Sequence, residues 1–223
     1  QIVSVYQINA AKIFDAYDSF SLQLTAYAIG SGSAWPFVTL PQFEAQTTKL
    51  IHQTGARSMT YGVAVQPEQR ELWQNYTRDN AGWRQESLDF HGISTDAVAP
   101  QSSFIYNSFR PPAKPAEAPQ PGRDFFMPAW LSAPFANNTR ITNFDLFALN
   151  SMPAIYSLMI EARNPILSKV RNLNKAESDP ESVLLAPIFE TSQGGDIVGV
   201  IMSTLPWINY FKGLVPEDVG EVF

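Results

Sequence analysis

Apolar side chains recur along the start of the chain at Val3, Tyr6, Ala10, Ile13, Tyr17, Phe20, Leu24 and Tyr27. The steps alternate between three and four, and no Gly or Pro falls in residues 1–28. That spacing places them on one stripe of an α-helix and predicts a helix over 1–28. Such a seam either lies along its own domain or pairs with the same helix of a second chain. Gly30, Ser31, Gly32 and Ser33 break the helix. After Trp35-Pro36-Phe37, Pro41 suits the first turn of a second helix. That helix presents Phe43, Thr47, Leu50 and Ile51 on one face and stops near Gly55. Met59, Tyr61, Val63 and Val65 then alternate with Ser58, Thr60, Gly62 and Ala64, the period of a strand with one small face. Pro67 opens a short helix bearing Leu72, Trp73 and Tyr76.

Residues 78–140 carry little periodicity, and Pro111, Pro112, Pro115, Pro119 and Pro121 predict an extended loop. Phe125 to Trp130 reads as a buried strand or a pocket wall. Ser151 precedes a helix whose stripe is Met152, Ile155, Tyr156, Met159 and Ile160. Two apolar runs, 182–189 and 196–204, flank Gly194-Gly195 and predict a central antiparallel hairpin. Residues 206–211 read as a short closing helix. This order of elements predicts an α+β domain with a PAS-like antiparallel sheet flanked by helices, preceded by a long stalk helix.

The 223 residues make one large domain, or one domain with a long appendage. Hydrophobic residues at 45% supply a sizeable core, and charged residues at 16% are sparse. A net charge of −6 argues against nucleic acid or an anionic membrane surface as partner. The lack of cysteine excludes a Cys-rich zinc site, a disulfide frame and a thiol nucleophile. The two histidines, His52 and His91, have no carboxylate or second histidine at metal-ligand spacing. Neither a G-x-S-x-G elbow nor a phosphate-binding glycine loop occurs. Glu44, Glu86, Asp89, Asp145 and Glu190 form no evident acid/base pair. No catalytic residue, metal or cofactor is therefore expected. Trp35, Phe37, Tyr61, Phe104, Tyr106, Phe125, Phe126, Trp130 and Phe135 either pack a core or line a small-molecule pocket. Asn75-Tyr76-Thr77 and Asn137-Asn138-Thr139 fit the N-glycosylation pattern. Beginning at Gln1, without Met, signal peptide or membrane span, the sequence reads as part of a longer protein.

Two stretches together resemble the CHASE family of extracellular sensor domains. The first is Asn143-Phe144-Asp145-Leu146 followed by a helix ending Glu161-Ala162-Arg163-Asn164-Pro165-Ile166-Leu167-Ser168. The second is Leu184-Leu185-Ala186-Pro187-Ile188-Phe189 with Ile197-Val198-Gly199-Val200-Ile201. Asn164-Pro165 stands where the family often has Thr-Gly. The chain is also similar to ectodomains of receptor-type nucleotide cyclases of diatoms and other microalgae. That likeness rests on residues 35–41, Phe43-Glu44, Trp73, Gly82-Trp83, Pro187-Ile188-Phe189, Trp207 and Tyr210-Phe211.

The resemblance implies a stalk helix over 1–30, a PAS-like ligand-binding half over 31–212 and the start of a membrane-proximal part over 213–223. It implies that Asp145 stands at one ligand-contact position and Leu185 at another, where the family carries Thr. An apolar Leu185 argues against an adenine-type ligand held in the family's manner. With the surrounding aromatics, the candidate ligand-binding residues are Asp145, Tyr61, Trp130, Phe147 and Leu185. The expected protein is the extracellular sensor of a membrane receptor with a cytosolic output such as a cyclase. Its expected partners are an unknown small molecule and a second copy through residues 1–28, with the membrane touched only through flanking spans. The rival readings are a secreted hydrolase using His52 or His91 and an adhesion module.

Overall fold

The computed structural model describes residues 2–94, 102–109, 114–135, 140–170 and 180–208, with residues 2–9 described by their backbone. The helices are α1 (Ile2–Ser31), α2 (Phe43–Thr54), α3 (Arg70–Asp79), α4 (Trp83–His91) and α5 (Met152–Ala162). The strands are β1 (Ser58–Val63), β2 (Ala129–Ala133), β3 (Ile166–Leu167), β4 (Glu181–Thr191) and β5 (Gly194–Pro206). They form one antiparallel sheet in the order β2-β1-β5-β4-β3. The α+β class, the sheet flanked by helices and the long N-terminal helix are as the sequence implies.

The β4–β5 hairpin is the spine of the sheet. Its register runs from Glu181↔Pro206 to Thr191↔Gly194. Gly194 and Gly195 have φ of 112° and 98°, a backbone region open to glycine and strained for other residues. Both strands are apolar on both faces because both faces are covered. Leu184, Ala186, Ile188 and Ile201 face one core; Val183, Leu185 and Val200 face the other.

The first core lies under α1 to α4. Tyr17, Phe20 and Leu24 of α1 pack against β4 and are buried. Thr25 Oγ1 ties α1 to the same strand by donating to the Phe189 carbonyl at 2.9 Å. The domain's own sheet therefore covers the C-terminal half of the predicted seam. Leu22 and Ile29, on another stripe, are 48% and 58% exposed. In α2 the hydroxyls of Thr47 and Thr54 donate to the carbonyls of Phe43 and Leu50, at 2.7 and 2.8 Å. Those bonds let polar residues sit on a buried helix face.

α4 falls inside the stretch that the sequence reads as loop, and His91 is its last residue. Its burial rests on Trp83, Ser87 and Leu88, too few apolar positions to show a period. Trp83 packs edge-on against Trp130 and Phe135, with ring centroids 5.6 and 5.1 Å apart. Each such pair adds about 0.5–1.5 kcal/mol beyond simple burial. Of the expected closing helix over 206–211, Pro206 instead ends β5, Trp207 and Ile208 are helical, and 209–211 lie outside the described residues.

Candidate ligand-binding face

The second core lies on the opposite face of the sheet, under α5 and the segment 141–149. That segment is stitched between Tyr106 and the approach to β2. Tyr106 N–H donates to Asn143 O at 3.1 Å, and Asp145 N–H donates to Tyr106 O at 2.8 Å. On the other side, Ala129 N–H donates to Phe144 O and Leu146 N–H to Met127 O, both at 2.9 Å. Asn143 makes the crossing possible. Its φ of 64° is left-handed, a conformation Asn tolerates better than most residues. Its buried amide accepts from Trp73 Nε1 at 3.1 Å and donates to Ser102 O at 2.9 Å. Asn143 was not among the expected site residues, although its type before Phe144 and Asp145 is a signal for such a turn.

Asp145 follows and is wholly buried. Its Oδ1 accepts from the backbone N–H of Met127 at 3.1 Å and of Phe147 at 3.2 Å, capping the short turn Leu146–Ala148. Its Oδ2 is buried without a hydrogen-bond partner. Burial pushes the carboxyl above the ordinary aspartate value, and the two backbone donors pull it back down. The local chemistry is that of a carboxyl with one oxygen committed to the fold and one uncommitted. It lies inside the structure rather than at the rim of an open pocket.

The other candidates do not converge on it. Phe147 and Leu185 belong to the same core as Asp145's neighbours, and both are buried. Tyr61 and Trp130 are buried in the core on the opposite side of the sheet. Trp130 Nε1 donates to Thr39 Oγ1 at 2.8 Å, and Trp73 packs edge-on against the Trp130 ring at 5.6 Å. Burial pushes the Tyr61 hydroxyl well above its usual value. One pocket lined by all five residues is thus replaced by two groups on opposite faces. The cause is strand alternation: Tyr61 points away from the face that Gly62 presents to Leu146 and Met127.

Both histidines lie away from this face. His52 is exposed on α2. His91 Nε2 meets Glu44 Oε1 at 2.7 Å, and the other Glu44 oxygen accepts from Phe135 N–H at 3.1 Å. Asn75 is exposed on α3, as an acceptor site needs, whereas Asn137 lies outside the described residues. Among the described residues no cluster of three His, Asp or Glu could hold a metal ion. A groove of about 620 Å³ opens between α3 and Ser103, Phe104 and Pro115, lined also by Arg70, Arg78, Glu68 and Glu71. None of the five candidates lines it.

No family model matches the chain, and no curated protein sequence matches it. Among the described residues no helix is long and apolar enough to cross a membrane.

Proposed function

We propose that this chain is the extracellular ligand-binding sensor domain of a membrane receptor, with α1 as the element that carries the signal towards a cytosolic output such as a nucleotide cyclase. The single observation that supports this most is the placement of β4. Val183 and Leu185 face the core containing Phe147 and α5, while Leu184, Ala186 and Ile188 face the core that holds α1. One strand therefore touches both the candidate ligand face and the long helix. A small molecule that displaces side chains on the first would shift the second through packed, incompressible contacts. Signalling further requires that the ligand bind one arrangement of α1 better than the other.

The ligand belongs on the α5 face, beside the Asp145–Phe147 turn. A chemically compatible ligand offers an N–H or O–H donor to Asp145 Oδ2 and apolar surface to Phe147. The receptor acts as a dimer of α1 helices, and its glycan is carried at Asn75.

The test is a small-molecule screen by thermal shift on the purified chain, followed by amide NMR of any hit. A hit should move resonances of residues 146–159 and also of Tyr17 to Ala28 in α1. A ligand that perturbs only the α5 face would remove the signalling role. Turnover of ester or glycoside substrates that disappears in His91→Ala would replace the sensor reading with the hydrolase one.

A further inference from the structure

Three aromatic rings from three elements converge at the edge of the second core. Phe125 comes from the approach to β2, Phe147 from the turn after Asp145 and Tyr156 from α5. Phe147 and Tyr156 stand at 88° with centroids 5.0 Å apart. Phe125 meets Phe147 at 67° and 5.5 Å, and Tyr156 at 60° and 6.1 Å. Rings set so steeply to one another are the walls of a box, not a stack. The guanidinium of Arg123 lies over two of them, 4.9 Å from the Phe147 centroid and 4.9 Å from the Tyr156 centroid, and Phe125 packs against both rings. Arg123 also donates to Pro153 O at 3.1 Å and Ser157 Oγ at 3.2 Å.

Walls and occupant differ in how they are anchored. Phe147 and Tyr156 are 3% and 4% exposed and belong to the core. Arg123 stands on a turn closed by its own N–H to Gln120 O, with Pro121, Gly122 and Asp124 exposed. The turn is the part of the box that opens at least cost.

We propose that Phe125, Phe147 and Tyr156 are a recognition cage for an organic cation, with Arg123 as its resident occupant, and that a ligand bearing an ammonium or guanidinium group takes the place of the Arg123 head. The ring faces attract cations electrostatically, more strongly where water is excluded. Asp124 adds negative charge near Tyr156, opposing the positive charge of Arg123 there. Departure of the Arg123 turn would reach the sheet directly. Phe126, next to the Phe125 wall, exchanges two 2.9 Å backbone hydrogen bonds with Val65 just beyond β1. This inference rests on the sensor reading and names its ligand class.

The probe is choline, compared with its neutral isostere 3,3-dimethyl-1-butanol, by calorimetry on the whole chain. Arg123→Ala should bind choline at least tenfold more tightly than wild type, and at least tenfold more tightly than it binds the isostere. Adding Tyr156→Leu or, separately, Phe125→Leu to Arg123→Ala should abolish the preference for the charged probe. Phe125 is only half-buried, so its variant guards against a folding defect, checked by thermal unfolding. Equal choline binding by wild type and Arg123→Ala, or equal binding of the two isosteres, overturns the cage. Choline binding without a response in α1 would leave the cage standing and remove the sensor reading. Absence of choline binding from every variant removes the cage, while the general ligand screen still tests the sensor.

Discussion

His91 Nε2 lies 2.7 Å from Glu44 Oε1, so the last residue of α4 is bonded to the first turn of α2. Glu44 is 2% exposed, and its second oxygen holds the Phe135 N–H just beyond β2. One carboxylate thus joins two helices and the edge of the sheet. His91→Ala leaves that buried carboxylate with one partner fewer and should cost about 1–3 kcal/mol of unfolding free energy. Urea denaturation measures it; unchanged stability would mean that solvent replaces the imidazole at no cost.

The buried carboxyl of Asp145 sets a sign for pH dependence. Burial raises its folded-state pKa, so the proton is held more tightly in the folded chain than in the unfolded one. Its contribution to stability is present below the unfolded aspartate value and is lost as pH rises through the raised folded value. Asp145→Asn keeps an oxygen for the Met127 and Phe147 N–H groups and removes the titration. Relative to the variant, wild type should lose stability as pH rises above roughly 4, the ordinary aspartate value. Parallel curves for the two proteins across that range would show that the carboxyl is not perturbed.

Asp145→Ala behaves differently, because it orphans two backbone donors at a capped turn. It should cost about 1–2 kcal/mol, the usual loss on removing a capping side chain. A wholly buried, hydrogen-bonded carboxyl cannot be removed without a cost to folding. Ligand affinity at this position is better read from Asp145→Asn, provided that its fold is intact by circular dichroism.

The two stripes of α1 make opposite predictions. Leu24 is wholly buried against the sheet, and Leu24→Ala should cost about 2–5 kcal/mol. Leu22 and Ile29 face outward, so Leu22→Glu with Ile29→Glu should change stability by no more than about 0.5 kcal/mol per site. If copies associate through α1, the second pair should abolish the dimer in sedimentation. A dimer that survives it pairs through another surface.

Gly199 sets how closely β5 approaches β1, and Gly62 how closely the Leu146 turn approaches β1. A Cβ on Gly199 would stand 2.6 Å from the Gly62 carbonyl oxygen, which is backbone and cannot turn aside. A Cβ on Gly62 would stand 2.7 Å from Leu146 Cδ1, the movable end of a side chain. Gly199→Ala should therefore lower the melting temperature more than Gly62→Ala, against the roughly 1–3 kcal/mol typical of overpacking. The reverse order would show that the strands separate more easily than the Leu146 turn repacks.

The hairpin, α2, α5 and the long first helix are legible in the chain because each is a local pattern. An apolar period of about 3.6 or 2 is bounded by residues such as Gly55 and Gly194-Gly195 whose backbone freedom marks the end. The α+β class follows from their order. α4 was hidden because Trp83, Ser87 and Leu88 bury a helix with little periodic signal, and its stability comes from rings on other elements.

By itself the sequence determined which residues are apolar and with what period, and hence most of the segments that form helices and strands, α4 excepted. It also set the turn between β4 and β5, since glycine's left-handed freedom acts locally. Only the tertiary structure decided which partner each apolar stripe meets. It gave the Tyr17–Leu24 seam to the chain's own sheet and left Leu22 and Ile29 outside. It put Tyr61 and Trp130 on the opposite face from Phe147 and Leu185. It buried Asp145 against Met127 and Phe147, and it drew Arg123 between two rings from distant elements. These are contacts between residues many positions apart. Their formation depends on sheet register and layer packing, which no local period encodes.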